Sequence, residues 1–308
     1  MGEAEKQTRA GFVALIGEPN SGKSTLMNRL VGAKVSIVTH KVQTTRARIR
    51  GIAQHEDSQL VFIDTPGLFR TRRNLDRAMV AAAWSGASDA DITVLLVEAH
   101  RGVSPGTKMI LEELSKKVNK NAKVLLAINK IDKVKSDQFL AMTLELSNAF
   151  EFDQVFMISA EKGHGVGDLM SYLAKSVPVG PWMYPDDQIA DVPMKLIAAE
   201  TTREKLMLRL HQELPYFLTV ETEGWEQKKD GSVRIDQVIY VTREGHKGIT
   251  VGPKGETIKA VSMASRVELK ELMGVDVHLF LQVKVRPKWE NEADRFTEMG
   301  LDFKDTRA

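Results

Sequence analysis

The chain has 308 residues, 43% of them hydrophobic and 27% charged, with a formal net charge of +2. That describes a globular protein with room for two hydrophobic cores and no global field to attract a polyanion, so any nucleic-acid surface has to be local. It contains no cysteine, which excludes a disulfide framework and thiolate chemistry and suits a reducing cytoplasm.

The opening MGEAEKQTRAG has no apolar stretch before Phe12 and does not read as a secretory signal; residues 1–10 are expected to be a tail. From 11 to 176, apolar runs rich in β-branched residues (12–16, 59–63, 92–97, 124–128 and 155–158) alternate with longer mixed segments. This pattern predicts an α/β domain with a mostly parallel sheet and crossover helices. None of the runs is long enough to cross a bilayer.

After the first run, Gly17, Glu18, Pro19, Asn20, Ser21, Gly22, Lys23, Ser24 and Thr25 spell GEPNSGKST. This fits G-x-x-x-x-G-K-[ST] between a strand and a helix expected over 23–31. Gly17 and Gly22 let backbone amides turn inward around phosphates, and the helix start adds amides and the positive end of its dipole. Lys23 is a catalytic candidate because its cation can reach the β- and γ-oxygens. Ser24 offers a hydroxyl to Mg²⁺. Residues 42–50 read VQTTRARIR, in which Thr44 or Thr45 can complete the Mg²⁺ shell and order the segment around a γ-phosphate.

The second run ends in Asp64, Thr65, Pro66 and Gly67. A carboxylate at a strand end facing the phosphate loop can hold Mg²⁺, and the Gly67 amide can meet the γ-phosphate. Thr45 and Gly67 join Lys23 as catalytic candidates. Asn129, Lys130 and Asp132 lie in NKID after the fourth run. Asp132 can accept two hydrogen bonds from the donor edge of guanine, which adenine lacks. Asn129 can meet the base's carbonyl edge or brace the loop, while the Lys130 stem can cover the ring. Ser159, Ala160 and Glu161 open SAEKG, where the Ala160 amide is placed for the guanine oxygen. GTP is therefore preferred to ATP.

Residues 177–185, VPVGPWMYP, hold three prolines and a glycine and predict a linker over 177–190. From 191 to 289 the order is a helix within 192–214 capped at Thr201 or Thr202, strands over 216–225 and 232–242, a helix over 256–272 and a strand over 275–285. This predicts a smaller α+β domain. Its loop Gly252, Pro253, Lys254, Gly255 is a G-x-x-G before a helix. It looks like the RNA-contacting loop of a KH domain in the arrangement with the last strand after the helices, type II. Lys254, Lys259 and Arg266 are RNA-binding candidates within a basic cluster that also holds Arg243, Lys247 and Lys270, diluted by Glu244, Glu256 and Glu268. Residues 290–308 are expected to be a tail.

Together GEPNSGKSTLMN, the TTR at 44–46, DTPGLF, LDRAM, NKID and SAEKG resemble the Era family of bacterial GTPases from about residue 12 to 289. The resemblance implies a slow GTPase that uses Mg²⁺ and cycles between GTP and GDP. It also implies a KH domain that binds the single-stranded 3′ end of 16S rRNA, and a role in assembly of the 30S subunit. A monomer in the cytoplasm, with peripheral contact at the inner membrane, is implied as well. Leu68 stands where other GTPases place a glutamine that positions water, and related GTPases with asparagine at the position of Asn20 use K⁺ there. The family's GxxG reads Gly-Lys-Gly-Gly; here Pro253 removes a backbone donor and stiffens the loop. A second reading keeps the GxxG loop structural, within a nucleotide-regulated protein-interaction module. Missing cysteine argues against one class of tRNA-modifying GTPase, and a single motif set excludes tandem GTPase domains.

Overall fold

The computed structural model describes residues 7–41, 44–71, 73–118, 122–135, 137–211 and 213–307. The chain divides into two compact units. The first comprises residues 1–36, 45–191 and 296–308, and the second residues 37–44 and 192–295.

In the first unit the elements run β1 (Arg9–Gly17), α1 (Lys23–Val31), β2 (Ile49–His55), β3 (Ser58–Asp64), α2 (Asn74–Asp89), β4 (Ile92–Glu98), α3 (Pro105–Lys117), β5 (Lys123–Asn129), α4 (Asp137–Ala149), β6 (Gln154–Met157) and α5 (Val166–Ser176). The sheet order is β2-β3-β1-β4-β5-β6, parallel throughout except for the antiparallel edge pair β2–β3. β3 and β4 are buried along their whole length, which is why they read as unbroken apolar runs. One face packs Ala14, Ile16, Leu95, Leu126 and Ile128 under Ala83, Ile110 and Leu114. The register pairs Leu15 with Asp64 and Glu98 with Asn129, so the carboxyl ends of β1, β3, β4 and β5 share one edge, where open α/β sheets bind ligands.

Four features depart from expectation here. β2 was not foreseen, because Gly51 and the charged Arg50 interrupt its pattern; pairing with β3 forms it. The 177–190 segment is bonded along this unit rather than strung out as a linker: Ala10 N–H donates to Pro178 O at 3.0 Å, Ile52 N–H donates to Ile189 O at 2.9 Å, and Gln59 holds the backbone of Met183 and Tyr184. The end of the chain is not a loose tail, since Phe296 and Leu301 are buried and Arg77 Nε on α2 donates to Thr306 O at 2.8 Å. At the other terminus, β1 already begins at Arg9, inside the expected tail.

The second unit runs α6 (Met194–Arg209), β7 (Leu218–Gln227), β8 (Val233–Val241), α7 (Glu244–Val251), α8 (Glu256–Met273) and β9 (Val277–Val285), and α9 (Ala293–Glu298) leads out of it. Its sheet, β7-β8-β9, pairs β7 and β8 antiparallel and β8 and β9 parallel. Leu206, Leu210, Leu218, Val220, Ile239, Val261 and Val283 form its core. Helix α6 starts at Met194, with Pro193 at its N-cap, so Thr201 and Thr202 are interior residues rather than caps. Their hydroxyls are satisfied inside, Thr201 by Ile197 O at 2.9 Å and Thr202 by Gln237 Oε1 at 2.6 Å. Helix α7 is also new. Trp289 is fully buried, its indole N–H donating to Phe217 O at 3.3 Å.

Candidate functional site

The phosphate loop joins β1 to α1, and close approaches dictate its two glycines and the glycine after Pro66. Gly17 has φ 147°, and a Cβ there would lie 2.4 Å from Leu96 O. Gly22 has φ 101°, and a Cβ would lie 2.2 Å from Asn129 Nδ2. At Gly67 a Cβ would come within 2.8 Å of the Pro19 backbone nitrogen and Cα. Asn20 adopts φ 68°, a left-handed conformation that asparagine tolerates better than most residues.

Lys23 is buried, and its Nζ donates to Gly17 O (3.1 Å), Glu18 O (2.9 Å) and, at 3.5 Å, Ser21 Oγ. Burial lowers its pKa to about 8, opposed by the carboxylates of Asp64, Glu98 and Glu18. The Glu18 carboxylate is itself tied to the start of α3, accepting from Ser104 Oγ at 2.5 Å and Thr107 Oγ1 at 3.1 Å.

Ser24, Thr45 and Asp64 converge. Ser24 Oγ lies 2.8 Å from Thr45 Oγ1 and donates to Asp64 Oδ2 at 2.6 Å, while Thr45 Oγ1 reaches the same oxygen at 3.4 Å. Ser36 Oγ, which no sequence pattern flagged, donates to Asp64 Oδ2 at 2.7 Å. Burial raises the Asp64 pKa, and the hydrogen bonds from Ser24 and Ser36 counter it. The other carboxylate oxygen, Oδ1, is buried without a hydrogen-bond partner. An orphaned carboxylate oxygen beside two hydroxyls fits an oxygen-seeking divalent cation such as Mg²⁺. Among the described residues no cluster of three or more His, Asp or Glu could hold a metal by itself. Of the two adjacent threonines, Thr45 enters this cluster. Thr44 Oγ1 instead bonds Thr39 Oγ1 and Lys41 O, both at 2.7 Å. Val42 and Gln43 of the same expected segment lie outside the described residues, as does Arg72 after the DTPG loop. Thr65 is buried, its hydroxyl donating to Leu15 O at 2.7 Å, and Pro66 is buried beside it. Leu68 is sealed in the core cluster, where it can offer no group to a water.

The side expected to read the base is built by loops after β5 and β6. Asn129 does not reach outward: its Nδ2 donates to Ser21 O (2.8 Å), and its Oδ1 accepts from the amides of Lys130 (2.8 Å) and Ala160 (2.9 Å). It is therefore a brace between the base loop and the phosphate loop. The Ala160 amide, expected on the guanine oxygen, is committed to Asn129 here. Lys130 Nζ spans Asn20 O (2.6 Å) and the buried Glu98 carboxylate (2.5 Å). Asp132 is exposed, with Oδ1 accepting from Ser159 Oγ at 2.6 Å, a bond that lowers its pKa. Arg29 on α1 holds the carbonyls of Ala160 and Glu161. Arg29, Ser36 and Glu98 escaped sequence reasoning because their partners lie far along the chain, and no short motif includes them.

In the second unit Gly252 caps α7 with φ 76°, Lys254 has φ 52°, and Gly255 starts α8 with φ 77°. A Cβ on Gly252 would lie 2.2 Å from Thr257 Oγ1, so that glycine is demanded by the close start of α8. Gly252 and Pro253 line a groove with Arg209, Leu214, Phe217 and Arg243. Lys254 and Lys259 are exposed. Arg266 does not join this groove: it lines a separate cleft with Lys270 and Asp276, eleven residues and about 16 Å along α8 from the loop.

Residues 12–130 match the family described as 50S ribosome-binding GTPase, and residues 213–290 match the KH domain family. The chain is 68% identical over 308 residues, all of both chains, to GTPase Era of Dinoroseobacter shibae. It is 58% identical over 296 residues to GTPase Era of Agrobacterium fabrum, covering 96% of this chain and 92% of that one. A crystal structure of Era with MgGDPNP and nucleotides 1506–1542 of 16S ribosomal RNA superposes with TM-score 0.89 at 33% identity, over 95% of this chain and 99% of the other. An Aquifex aeolicus Era variant bound to GDP·AlF₄⁻ gives the same TM-score, identity and coverage.

Proposed function

The chain belongs to the Era family of GTPases, and from that premise we propose that it is a GTP-hydrolysing switch that binds the 3′ end of 16S rRNA during maturation of the 30S subunit. The observation that carries the reading is the Ser24–Thr45–Asp64 cluster with its buried, orphaned carboxylate oxygen, set behind a phosphate loop that Asn129 joins to the base-reading loop.

Each residue has a task in hydrolysis. Lys23 exchanges its loop carbonyls for phosphate oxygens, regaining a counter-charge that offsets its burial. Ser24 and Thr45 offer hydroxyl oxygens, and Asp64 holds that shell in place. When bound, Mg²⁺ neutralises charge on the β- and γ-oxygens. The Gly67 amide faces the γ-phosphate, and the chain can swing at this position once the phosphate leaves. With Leu68 buried there is no side-chain base at that position, so rate enhancement rests on positioning and electrostatics, which suits a slow intrinsic rate.

Gly67→Ala tests the close approach to Pro19. The added methyl overlaps the phosphate loop in the form described here, so single-turnover hydrolysis is expected to fall about tenfold or more with GDP affinity little changed. Wild-type turnover in that variant would show that the contact is dispensable. K⁺ held by Asn20 belongs to the same proposal and is carried by family resemblance. Equal rates in K⁺ and Na⁺ at fixed ionic strength would remove it.

The whole reading is tested by binding. Purified protein with Mg²⁺ should hold GTP far more tightly than ATP, and its GTP-analogue and GDP forms should differ in affinity for a 16S 3′-end oligonucleotide. Equal affinity of both forms leaves an enzyme without a switch. Among the described residues no helix is long and apolar enough to cross a membrane. The proposal places the protein, a monomer, in the cytoplasm with peripheral contact at the inner membrane; recovery only in the salt-stable membrane fraction would contradict that.

A further inference from the structure

Arg243 stands on the wall of the GxxG groove and is exposed. Among the described residues no carboxylate pairs with it; its recorded partner is a buried imidazole. Arg243 Nε donates to His246 Nε2 at 2.7 Å. An arginine is always protonated, so Nε2 must be the accepting nitrogen and the ring proton must sit on Nδ1. There it meets Thr242 Oγ1 at 2.9 Å. The imidazole is further confined: it is only 8% exposed and packs tilted against the Phe217 ring at 5.8 Å, while the residue's backbone carbonyl accepts from Thr250 Oγ1 at 2.8 Å. Burial, and then the charge of Arg243, lower the His246 pKa and favour the neutral ring that this bond requires. With Nε engaged from behind, the terminal Nη1 and Nη2 of Arg243 are left to a ligand, and a guanidinium edge matches the paired oxygens of a phosphodiester.

We propose that His246 is a positioning residue that holds Arg243 as the phosphate contact of the groove for single-stranded RNA, with Thr242 selecting the tautomer that does so. This rests on the reading that the GxxG groove takes RNA. It adds a contact outside the GxxG loop itself, on the strand-to-helix turn before α7.

The test uses the full-length protein in its GTP-analogue form and a single-stranded 16S 3′-end oligoribonucleotide, with Kd measured across a KCl series. Arg243→Gln is expected to weaken binding about tenfold or more and to reduce the slope of log Kd against log salt by about 0.7, one phosphate's worth for a single strand. His246→Phe, which keeps an aromatic ring but removes the acceptor, should give the same loss and the same slope, and the double variant should be no weaker than either single one. His246→Gln restores an acceptor and should recover most of the affinity. Thr242→Val changes little volume but frees the Nδ1 proton, and should produce part of the His246→Phe loss; it keeps the test decisive if the phenylalanine variant misfolds. Losses that multiply in the double variant, an unchanged salt slope in His246→Phe, or failure of glutamine to rescue would overturn the positioning role. Absence of RNA binding by the wild-type protein would instead remove the function on which the inference rests.

Discussion

Asp132→Asn is expected to lower GTP affinity about 10²–10⁴-fold and to move the preference to xanthosine triphosphate. Asp132 is anchored by Ser159 Oγ at 2.6 Å through one oxygen, and that bond favours its ionised form. A fixed carboxylate can take both donors of guanine, its ring N–H and its exocyclic amine. Each hydrogen bond to a charged group is worth roughly 1.5–3 kcal/mol, and each 1.4 kcal/mol is about tenfold in affinity. The asparagine side chain has nearly the same shape, but one oxygen becomes an amine that opposes the guanine amine. Xanthine carries a carbonyl there and accepts from that amine. Competition binding with GTP, xanthosine triphosphate and ATP reads the outcome. If the variant still preferred GTP, Asp132 would not be the group that reads the base.

Lys23→Met separates what the buried cation does for catalysis from what it does for the fold. Hydrolysis is expected to fall about 10²–10³-fold, the cost of removing one oriented electrostatic donor from a transition state. The nucleotide-free protein, however, should melt no lower than wild type. The folded-state pKa of Lys23 is lowered from 10.5 to about 8, so at neutral pH the folded state carries a buried ammonium at a cost of about 3 kcal/mol. The sign follows from proton counts: between pH 8 and 10.5 the unfolded chain binds more protons at this site than the folded one, so wild-type stability at this site rises with pH. Any thermal advantage of Lys23→Met should therefore be greatest near pH 7 and shrink as pH rises through 8 toward 10. Calorimetry across that range, beside single-turnover kinetics, checks both halves. A variant that hydrolysed GTP normally, or melted several degrees lower at pH 7, would contradict the assignment.

The contrast between these two sites shows which parts of the protein were legible from residues alone. The phosphate loop is a local device. Its glycines, lysine and serine lie within nine consecutive residues, and the helix that follows ends where expected, at Val31. Asp132, the residue expected to read the base, likewise announces itself by a four-residue motif after an apolar strand. In the second unit, strands β7, β8 and β9 each fall within a few residues of their expected limits, because alternation of period two survives wherever one face is buried.

Helix α7 was hidden for the opposite reason. Its sequence EGHKGITV holds two glycines and ends in three β-branched residues, all poor helix formers. It forms because His246 and Thr250 are buried one turn apart on the same face, and because Gly252 closes its end. Tertiary burial outweighed propensity, and the Arg243–His246 pair on its first turn was concealed with it.

Short segments of sequence carried the expected chemistry: a triphosphate cradle, a hydroxyl and carboxylate suited to a divalent cation, a carboxylate suited to guanine and a GxxG turn. These depend on backbone conformation and on donor types within a few residues, which neighbouring side chains dictate. Which atoms meet was left to long-range packing. It set Thr45 rather than Thr44 beside Ser24, brought Ser36 to Asp64, turned Asn129 inward to take the Ala160 amide, and kept Arg266 away from the GxxG groove. Such pairings follow from strand register and helix packing, as when Leu15 of β1 aligns with Asp64 of β3. Both are set by burial summed over the whole sheet, which no single segment encodes.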